Sequence, residues 1–208
     1  MAYPDKRLIL ASASPRRREL LERFGVPFEI VPAAGPETAP AGLSPRELVT
    51  ALAEHKAAEV AGRYPDAVVV AADTVVEIGG TVLGKPGTPE KAEEMLRRLS
   101  GETNRGWTGL CVRRGGESLS AAECTEVRFR TLTDGEIAAY AATGEPLDKA
   151  GAYGYQGLAS LFVEEIRGDY FNVVGLPLCR LGQMLRSFGV ELLRRNDPAP
   201  TGQSEDLL

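Results

Sequence analysis

The chain has 208 residues, of which 43% are hydrophobic and 25% are charged, and its formal net charge is −5. This length and balance are typical of a folded globular protein with a full core, and the acidic charge argues against a nucleic-acid partner. Three scattered cysteines and one histidine exclude a disulfide framework and a His-rich metal site. Because the sequence shows neither a signal peptide nor an apolar run of membrane-spanning length, we expect a cytoplasmic protein.

The first predicted unit is a strand, a loop and a helix. Residues 8–11, LILA, predict a strand buried on both faces, while Pro15 suits a first helical turn and Gly25 ends the helix. Residues 12–18, SASPRRR, add two serines and three arginines to a helix start that already attracts anions. Two interpretations stay open: a phosphate site, or a solvated arginine cluster with Ser14 as an ordinary N-cap.

A second strand and an open loop come before the next helix. Residues 26–31 predict a strand, and the small-residue loop after it carries a single acid, Glu37. Residues 44–47, SPRE, have the pattern of a capping box with proline at the first helical position. Lys56 falls near the inner face of that helix, where it is either a snorkelling surface lysine or a member of a site.

The strongest buried-strand signal is residues 67–72, AVVVAA, which Asp73 follows. Because open α/β sheets place their ligand crevice at the carboxyl ends of strands, Asp73 is the first catalytic candidate; the alternative is a residue that caps a turn. Residues 79–85 then have the spacing of a phosphate-binding P-loop, but Pro86 stands where Ser or Thr belongs. We therefore reject a P-loop and keep Lys85 as a point charge for phosphate.

The rest of the chain predicts more antiparallel pairing than the first part. Its elements, in order, are a hairpin turn at residues 79–80, a helix at 88–101, strands at 104–114 and 117–131, a helix at 133–144, a glycine-rich irregular segment at 144–157, strands at 158–166 and 170–174, and a helix at 177–188. The irregular segment is either a long turn or a place where backbone, amide and aromatic groups meet a nucleobase. Together the elements predict an α/β fold with a mixed sheet flanked by helices.

The candidate site residues are polar groups of two kinds. The hydroxyl and cationic candidates are Ser12, Ser14, Arg16, Arg17, Lys56 and Lys85, and the acids are Glu37 and Asp73. Arginine and lysine neutralise phosphate oxygens, carboxylates hold a hard divalent cation, and one carboxylate can activate water. This set predicts a magnesium-dependent hydrolase or transferase that acts on a phosphorylated small molecule.

Five motifs follow one another along the chain, namely SASPRRRELL, AADTVV, LGKP, GEPLDKAGAYGYQG and GDYFNVVGLPL. In that order they resemble the Maf family of nucleoside triphosphate pyrophosphatases, from about residue 8 to residue 188. The DKAGAYGYQG stretch with its glutamine resembles the branch that hydrolyses dTTP and UTP, rather than the branch that acts on 7-methyl-GTP. The resemblance implies cleavage between the α- and β-phosphates, which gives a nucleoside monophosphate and pyrophosphate.

The resemblance also implies a fold, a cofactor and an assembly. The fold is the mixed α/β one shared with inosine triphosphate pyrophosphatases, called Maf/Ham, and the cofactor is a divalent cation, Mg²⁺ or Mn²⁺. The assembly is a homodimer, and the partners are pyrimidine nucleoside triphosphates rather than a nucleic acid or a membrane. The family is also thought to remove modified pyrimidine nucleotides. The competing function is a nucleotide-binding regulator of cell division and septum formation without physiological turnover.

The same resemblance assigns roles to individual residues. Asp73 takes the general-base position and, together with Glu37, holds the metal. The residues around the triphosphate are Ser12, Arg16, Arg17, Lys56 and Lys85, and those linked to base choice are Arg16, Thr74 and Gln156. Relatives often carry two acids in the Glu37 loop, whereas AAGPETAP has one. We expect one domain over residues 1–190, built as two intimate lobes around a cleft, and a flexible tail over 191–208.

Overall fold

A mixed seven-stranded β-sheet forms the centre of the computed structural model, which describes residues 6–36 and 38–193. Its strands are β1 (Leu8–Leu10), β2 (Glu29–Ile30), β3 (Val68–Ile78), β4 (Thr81–Leu83), β5 (Thr103–Arg114), β6 (Glu117–Phe129) and β7 (Val163–Arg167). The order across the sheet is β2-β1-β3-β5-β6-β7, and β4 pairs with β3 beside this path. β1 runs parallel to β2 and β3, and the other pairs of this sheet are antiparallel. The predicted mixed sheet is therefore confirmed.

Helices flank this sheet in the described part of the chain. They are α1 (Pro15–Glu22), α2 (Pro45–Arg63), α3 (Pro89–Leu99), α4 (Asp134–Ala142), α5 (Tyr170–Val174) and α6 (Leu178–Ser187). Both predicted capping boxes are present, with Ser44 before α2 and Thr133 before α4. Between residues 6 and 193, leaving out residue 37, no helix is long and apolar enough to cross a membrane.

The first part of the sheet is buried between two helical layers. On one face, Ile9 and Val69 belong to a core that includes residues of α2. On the other face, Leu10 and Val70 belong to a core that includes residues of α1 and α6. Alternate residues of a strand point to opposite faces, so both sides of β1 and of the first half of β3 are apolar. This arrangement explains why the runs LILA and AVVVAA contain no polar residue.

A third core lies between α3, α4 and the outer strands of the sheet. Its members include Leu96 of α3, Phe129 of β6 and Tyr140 of α4. The rings of Tyr140 and Phe162 meet edge to face, with 5.3 Å between their centroids. Ala152 belongs to the same core, so the glycine-rich segment is packed against α3 and α4 rather than left as a free loop.

Of the last two predicted strands, the one at 170–174 is wrong and the one at 158–166 is confirmed only in its second half. Residues 170–174 form the helix α5, because the Asp169 side chain accepts a hydrogen bond from Phe171 N and caps that helix. Gly175 then ends α5 in the left-handed conformation, with φ of 113°. The predicted strand at 158–166 is a 3₁₀ turn followed by β7.

The remaining expectations concern the second strand, the C-terminal tail and the division into domains. The strand predicted at residues 26–31 is shorter in the structure, where β2 contains two residues. Residues 194–208, which hold most of the predicted flexible tail, lie outside the described residues. The domain boundary near residue 190 and the division into two lobes stay predictions.

Candidate active site

A pocket of about 540 Å³ opens where β1 ends and β3 continues. It is lined by the predicted site residues that the structure describes, namely Ser12, Ser14, Arg16, Arg17, Lys56, Asp73, Thr74, Lys85 and Gln156. Glu37, the other predicted metal ligand, lies outside the described residues. The fold therefore gathers candidates from α1, α2, β3, the segment after β4 and the glycine-rich segment into one cavity.

Asp73 lies in the middle of β3 and not at the end of a strand, which corrects the prediction. β1 pairs with Val68–Val70 and stops, whereas β3 continues to Ile78 as the partner of β5. The crevice forms beyond the carboxyl end of β1, on the side of β3 that this short strand leaves uncovered. Asp73 is 8% exposed there, and a carboxylate so little exposed needs a charged or hydrogen-bonding partner.

Lys56 of α2 supplies that partner. Its Nζ lies 2.6 Å from Asp73 Oδ1, and the two side chains are 13% and 11% exposed. Gly109 of β5 permits this close approach of helix and sheet, since a Cβ there would lie 2.1 Å from Val49 O of α2. Residues 49 and 56 are two helical turns apart and share one face of α2. Lys56 thus faces the pocket, and the interpretation as a snorkelling surface lysine is wrong.

The three arginines at the start of α1 take three different positions. Arg16 lines the pocket. Arg17 turns inward, and its guanidinium donates hydrogen bonds to Ala72 O at 2.9 Å and to Gly175 O at 2.8 Å. Arg18 is exposed and pairs at 2.7 Å with an acid one turn later in α1. Neither open interpretation describes the whole cluster, because Arg16 and Arg17 both line the pocket, Arg17 while bonded to protein groups, and Arg18 faces the solvent.

The loop before α1 is held by a hydroxyl group rather than by an ordinary N-cap. Ser14 stands at the N-cap position, but its side chain makes no capping hydrogen bond. Instead, Ser12 Oγ accepts hydrogen bonds from Ser14 N and from Arg17 Nη1, each at 3.2 Å. The start of α1 lines the pocket, where the unpaired N–H groups of a helix end favour an anion.

Thr74 connects the pocket with a chain of buried polar groups on the other face of β3. Its Oγ1 accepts a hydrogen bond from Arg17 Nη2 at 2.9 Å and lies 3.0 Å from Thr108 Oγ1. Thr108 donates its hydroxyl hydrogen to Asn172 O at 3.0 Å, so Thr74 is the donor to Thr108. Asn172 Nδ2 in turn donates to Gly106 O at 2.9 Å. The sequence does not reveal this series of hydrogen bonds, because isolated polar residues in β5 and α5 form no local pattern.

The glycine-rich segment forms another wall of the pocket and carries charges that face α1. Lys149 Nζ donates a hydrogen bond to Asp148 Oδ1 at 2.8 Å, and this bond is the main cause that lowers the pKa of Asp148. The charge of Arg16 lowers that pKa further. Arg16 and the segment therefore interact across the same cavity, in which Gln156 also lies.

The carboxylates of the pocket are suited to a divalent cation that is bound jointly by the protein and by phosphate oxygens. The described residues contain no group of three His, Cys, Asp or Glu side chains that could hold a metal ion. Asp73 and Asp148 are the acids that line the described pocket. Mg²⁺ keeps several waters and is commonly bound by one or two carboxylates plus substrate phosphates. Asp73 suits such a site, which needs no preformed cage of protein ligands.

The fold and the pocket define an α/β protein with an anion-attracting cleft, in which basic side chains surround the nearly buried carboxylate of Asp73. The chain belongs to the Maf-like protein family, whose model matches residues 7–188. That match spans nearly all of the described chain and confirms the family that the five sequence motifs predict.

Two dTTP/UTP pyrophosphatases are similar in sequence to this chain over most of their length. A dTTP/UTP pyrophosphatase of Pelotomaculum thermopropionicum is 50% identical over 190 residues, which cover 90% of this chain and 100% of the relative. A dTTP/UTP pyrophosphatase of Symbiobacterium thermophilum is 52% identical over 184 residues, covering 88% and 95% of the two chains. The solved structure of the Staphylococcus aureus Ham1 protein aligns with a TM-score of 0.45 and 14% identity over 60% of this chain and 72% of that one.

Proposed function

We propose that this chain hydrolyses dTTP and UTP, and modified pyrimidine nucleotides, to the nucleoside monophosphate and pyrophosphate, which would limit incorporation of non-standard nucleotides. The observation that carries the proposal is the carboxylate of Asp73, 2.6 Å from Lys56, in a pocket that Arg16 and Lys85 also line. The names of the two relatives, each about half identical to this chain, support the choice of substrate.

In the proposed reaction, a water oxygen forms a bond to the α-phosphorus. The bond from that phosphorus to the oxygen that bridges to the β-phosphate breaks, and its electron pair leaves with pyrophosphate. Asp73 accepts a proton from the attacking water, a contribution that is typically ~10²–10⁴-fold in rate for a positioned general base. Lys56 fixes the carboxylate of Asp73 by the 2.6 Å ion pair.

Cationic side chains are proposed to neutralise the phosphates. The triphosphate gains negative charge on its leaving group as the bond breaks, and preorganised cations stabilise that charge best in a water-poor site. Arg16 and Lys85 line the pocket on different walls, one at the start of α1 and the other after β4. Arg17 stays a predicted phosphate contact, although its guanidinium donates hydrogen bonds to protein groups.

We expect Mg²⁺ or Mn²⁺ as the cofactor, held by Asp73, by Glu37 and by the phosphates of the nucleotide. When bound, such an ion neutralises phosphate oxygens and lowers the pKa of a water molecule. Chelation with EDTA should abolish pyrophosphate release, and added Mg²⁺ or Mn²⁺ should restore it. Turnover that survives thorough chelation would contradict the metal requirement.

The choice of base is proposed to depend on Arg16, Thr74 and Gln156. The Gln156 amide offers a donor and an acceptor, which match the alternating edge of uracil or thymine. Thymine differs from uracil by one methyl group, worth at most about 1–3 kcal/mol of discrimination, so both dTTP and UTP should be substrates.

The decisive experiment offers the purified protein a panel of ordinary and modified nucleoside triphosphates and measures pyrophosphate and orthophosphate separately. Pyrophosphate from dTTP and UTP, with little from ATP and GTP, supports the proposal. Orthophosphate as the first product would mean attack at the γ-phosphate and would refute the proposed site chemistry. Tight nucleotide binding without any product would favour the regulator of cell division instead.

The assembly and the location of the protein are part of the same proposal. A homodimer is expected from the family resemblance, and sedimentation equilibrium over a range of protein concentrations would test it. Cys111, Cys124 and Cys179 are free thiols, which supports a reducing cytoplasmic setting.

A further inference from the structure

The segment Gly154–Leu158 presents Gln156 to the pocket, so its position decides where the amide of Gln156 lies. The segment contains a tight turn, in which Gly157 N donates to Gly154 O at 3.0 Å. Gln156 itself is exposed, so burial does not hold its side chain in place. The backbone on either side of Gln156 must therefore be fixed by other groups.

Two residues outside the pocket hold both ends of this segment. Tyr140 Oη accepts a hydrogen bond from Gly154 N at 3.3 Å and donates one to Glu145 Oε1 at 2.9 Å. Glu145 Oε2 accepts a hydrogen bond from Leu158 N at 3.1 Å. The pair thus forms a clamp, the Tyr140–Glu145 clamp, which spans the segment from its first to its last residue.

Two glycines of the segment lie close against the ends of neighbouring side chains. A Cβ at Gly157 would lie 2.3 Å from Glu145 Oε1, in the space that the carboxylate occupies. A Cβ at Gly154 would lie 2.8 Å from Lys149 Cε. Both distances are far below an ordinary van der Waals contact, so a side chain at either position would displace the end of Glu145 or of Lys149.

The clamp is itself held rigidly. Tyr140 is 3% exposed, and its ring packs edge to face on Phe162. Burial raises the pKa of Tyr140, and the hydrogen bond to Glu145 raises it further, so the hydroxyl keeps its proton and remains a donor. The main chain of Glu145 is tied on both sides: its N–H donates to Thr143 Oγ1 at 3.1 Å, and its carbonyl accepts from Lys149 Nζ at 2.5 Å.

We propose that Tyr140 and Glu145 are positioning residues for pyrimidine selection, which act by fixing the backbone on both sides of Gln156. This inference rests on the proposed function of the pocket. Neither residue lines the described pocket, so neither is a catalytic residue here. An amide that reads a base by paired hydrogen bonds loses them when it shifts by about 1 Å, whereas cationic groups still attract the triphosphate at that displacement. Release of the clamp should therefore weaken pyrimidine recognition more than phosphate binding.

Two variants separate the clamp from simple packing. Glu145→Gln keeps the size of the side chain but replaces one of its two acceptor oxygens by an NH₂ group, which cannot accept from Leu158 N or Tyr140 Oη. Tyr140→Phe keeps the ring that packs on Phe162 and removes the hydroxyl. Glu136→Gln is the matched control, because it makes the same substitution at a carboxylate that caps the start of α4, the helix that carries Tyr140.

The test measures kcat and KM for UTP and ATP together with amide hydrogen exchange of residues 154–158. Both clamp variants should lower kcat/KM for UTP about tenfold, mainly through KM, and leave that for ATP within about twofold. Exchange of the segment should become faster in both variants. Glu136→Gln should match the wild type in both measurements.

The inference would be overturned by unchanged exchange in the clamp variants, or by faster exchange with an unchanged ratio of kcat/KM for UTP to kcat/KM for ATP. An equal loss of kcat for both nucleotides would also overturn it, because that result indicates a general structural defect. If the wild type released no pyrophosphate from UTP, the proposed function would fail. Calorimetric binding of UTP and ATP would then test the clamp alone, and a preference for UTP lost in both variants would support it.

Discussion

Replacing Asp73 by Asn tests the centre of the proposed site. The amide keeps the size of the side chain but removes the proton acceptor and the charge that faces Lys56. We expect kcat for dTTP to fall about 10²–10⁴-fold, which corresponds to roughly 3–5 kcal/mol of activation free energy. KM should stay within about threefold, because the cations that bind the triphosphate are retained. The assay is pyrophosphate release under saturating dTTP and divalent metal.

The same change has a cost in stability that can be worked from the geometry. At the observed 2.6 Å, a unit charge pair attracts by about 6 kcal/mol at an effective dielectric constant near 20, before the desolvation of both groups is subtracted. Truncating one partner of a buried pair costs about 3–5 kcal/mol, and side chains 13% and 11% exposed place this pair near the lower end. Urea unfolding should therefore show a loss of about 3 kcal/mol.

The matched control is Asp134→Asn. Asp134 pairs with Arg97 at 3.2 Å, but its side chain is 86% exposed. A surface pair contributes at most about 1 kcal/mol, so stability and kcat should both stay near the wild-type values. Retention of more than about a tenth of kcat in Asp73→Asn would refute the base assignment, since a positioned base supplies at least about a hundredfold. Unchanged stability of that variant would refute the buried ion pair.

Three further predictions concern the scaffold of the site. Asn172→Leu strands buried hydrogen-bonding partners and should cost about 1–3 kcal/mol for each in urea unfolding; a neutral effect would contradict the buried polar chain. Gly109→Ala places a Cβ 2.1 Å from Val49 O, so α2 must shift. The free energy of unfolding and kcat should therefore fall together. A loss of stability without a loss of kcat would contradict the link between this contact and the position of Lys56. Arg130 lowers the pKa of Glu136 to about 2, so this carboxylate stabilises the fold above its ordinary pKa of 4.5 and loses that effect as the pH falls toward 2. The difference in unfolding free energy between wild type and Glu136→Gln should therefore be constant above about pH 5 and vanish toward pH 2.

The parts of the fold that could be predicted are those with local signals. The capping boxes at Ser44 and Thr133 and the unbroken apolar runs of β1 and β3 specify their elements within a few residues. Residues 170–174, YFNVV, mislead for a physical reason: aromatic and β-branched side chains favour strands, yet the cap and the buried contacts of Asn172 hold them in a helix. Such contacts join α5 to β5 and β6 and leave no trace in the local sequence.

The candidate site divides in the same way. Residue type and the family resemblance suffice to select Asp73, Lys56 and Gln156, which the structure places in one pocket. They do not reveal that Arg17 turns away from its neighbours, because its acceptors include main-chain oxygens of Ala72 and Gly175. A carbonyl oxygen is present at every residue, so the sequence carries no information about which ones a guanidinium will find.

The position of Asp73 within β3 explains how one strand serves two sides of the pocket. Successive residues of a strand point to opposite faces, so Asp73 meets Lys56 on the face of α2 while Thr74 meets Arg17 on the face of α1. A slip of one residue would exchange these partners and place a carboxylate against the Thr108 hydroxyl and a threonine against Lys56. The continuous pairing of residues 69–77 of β3 with β5 prevents that slip. Proposed catalysis and proposed base selection are therefore tied to a single strand register, and a variant that disturbs this register should lose both together.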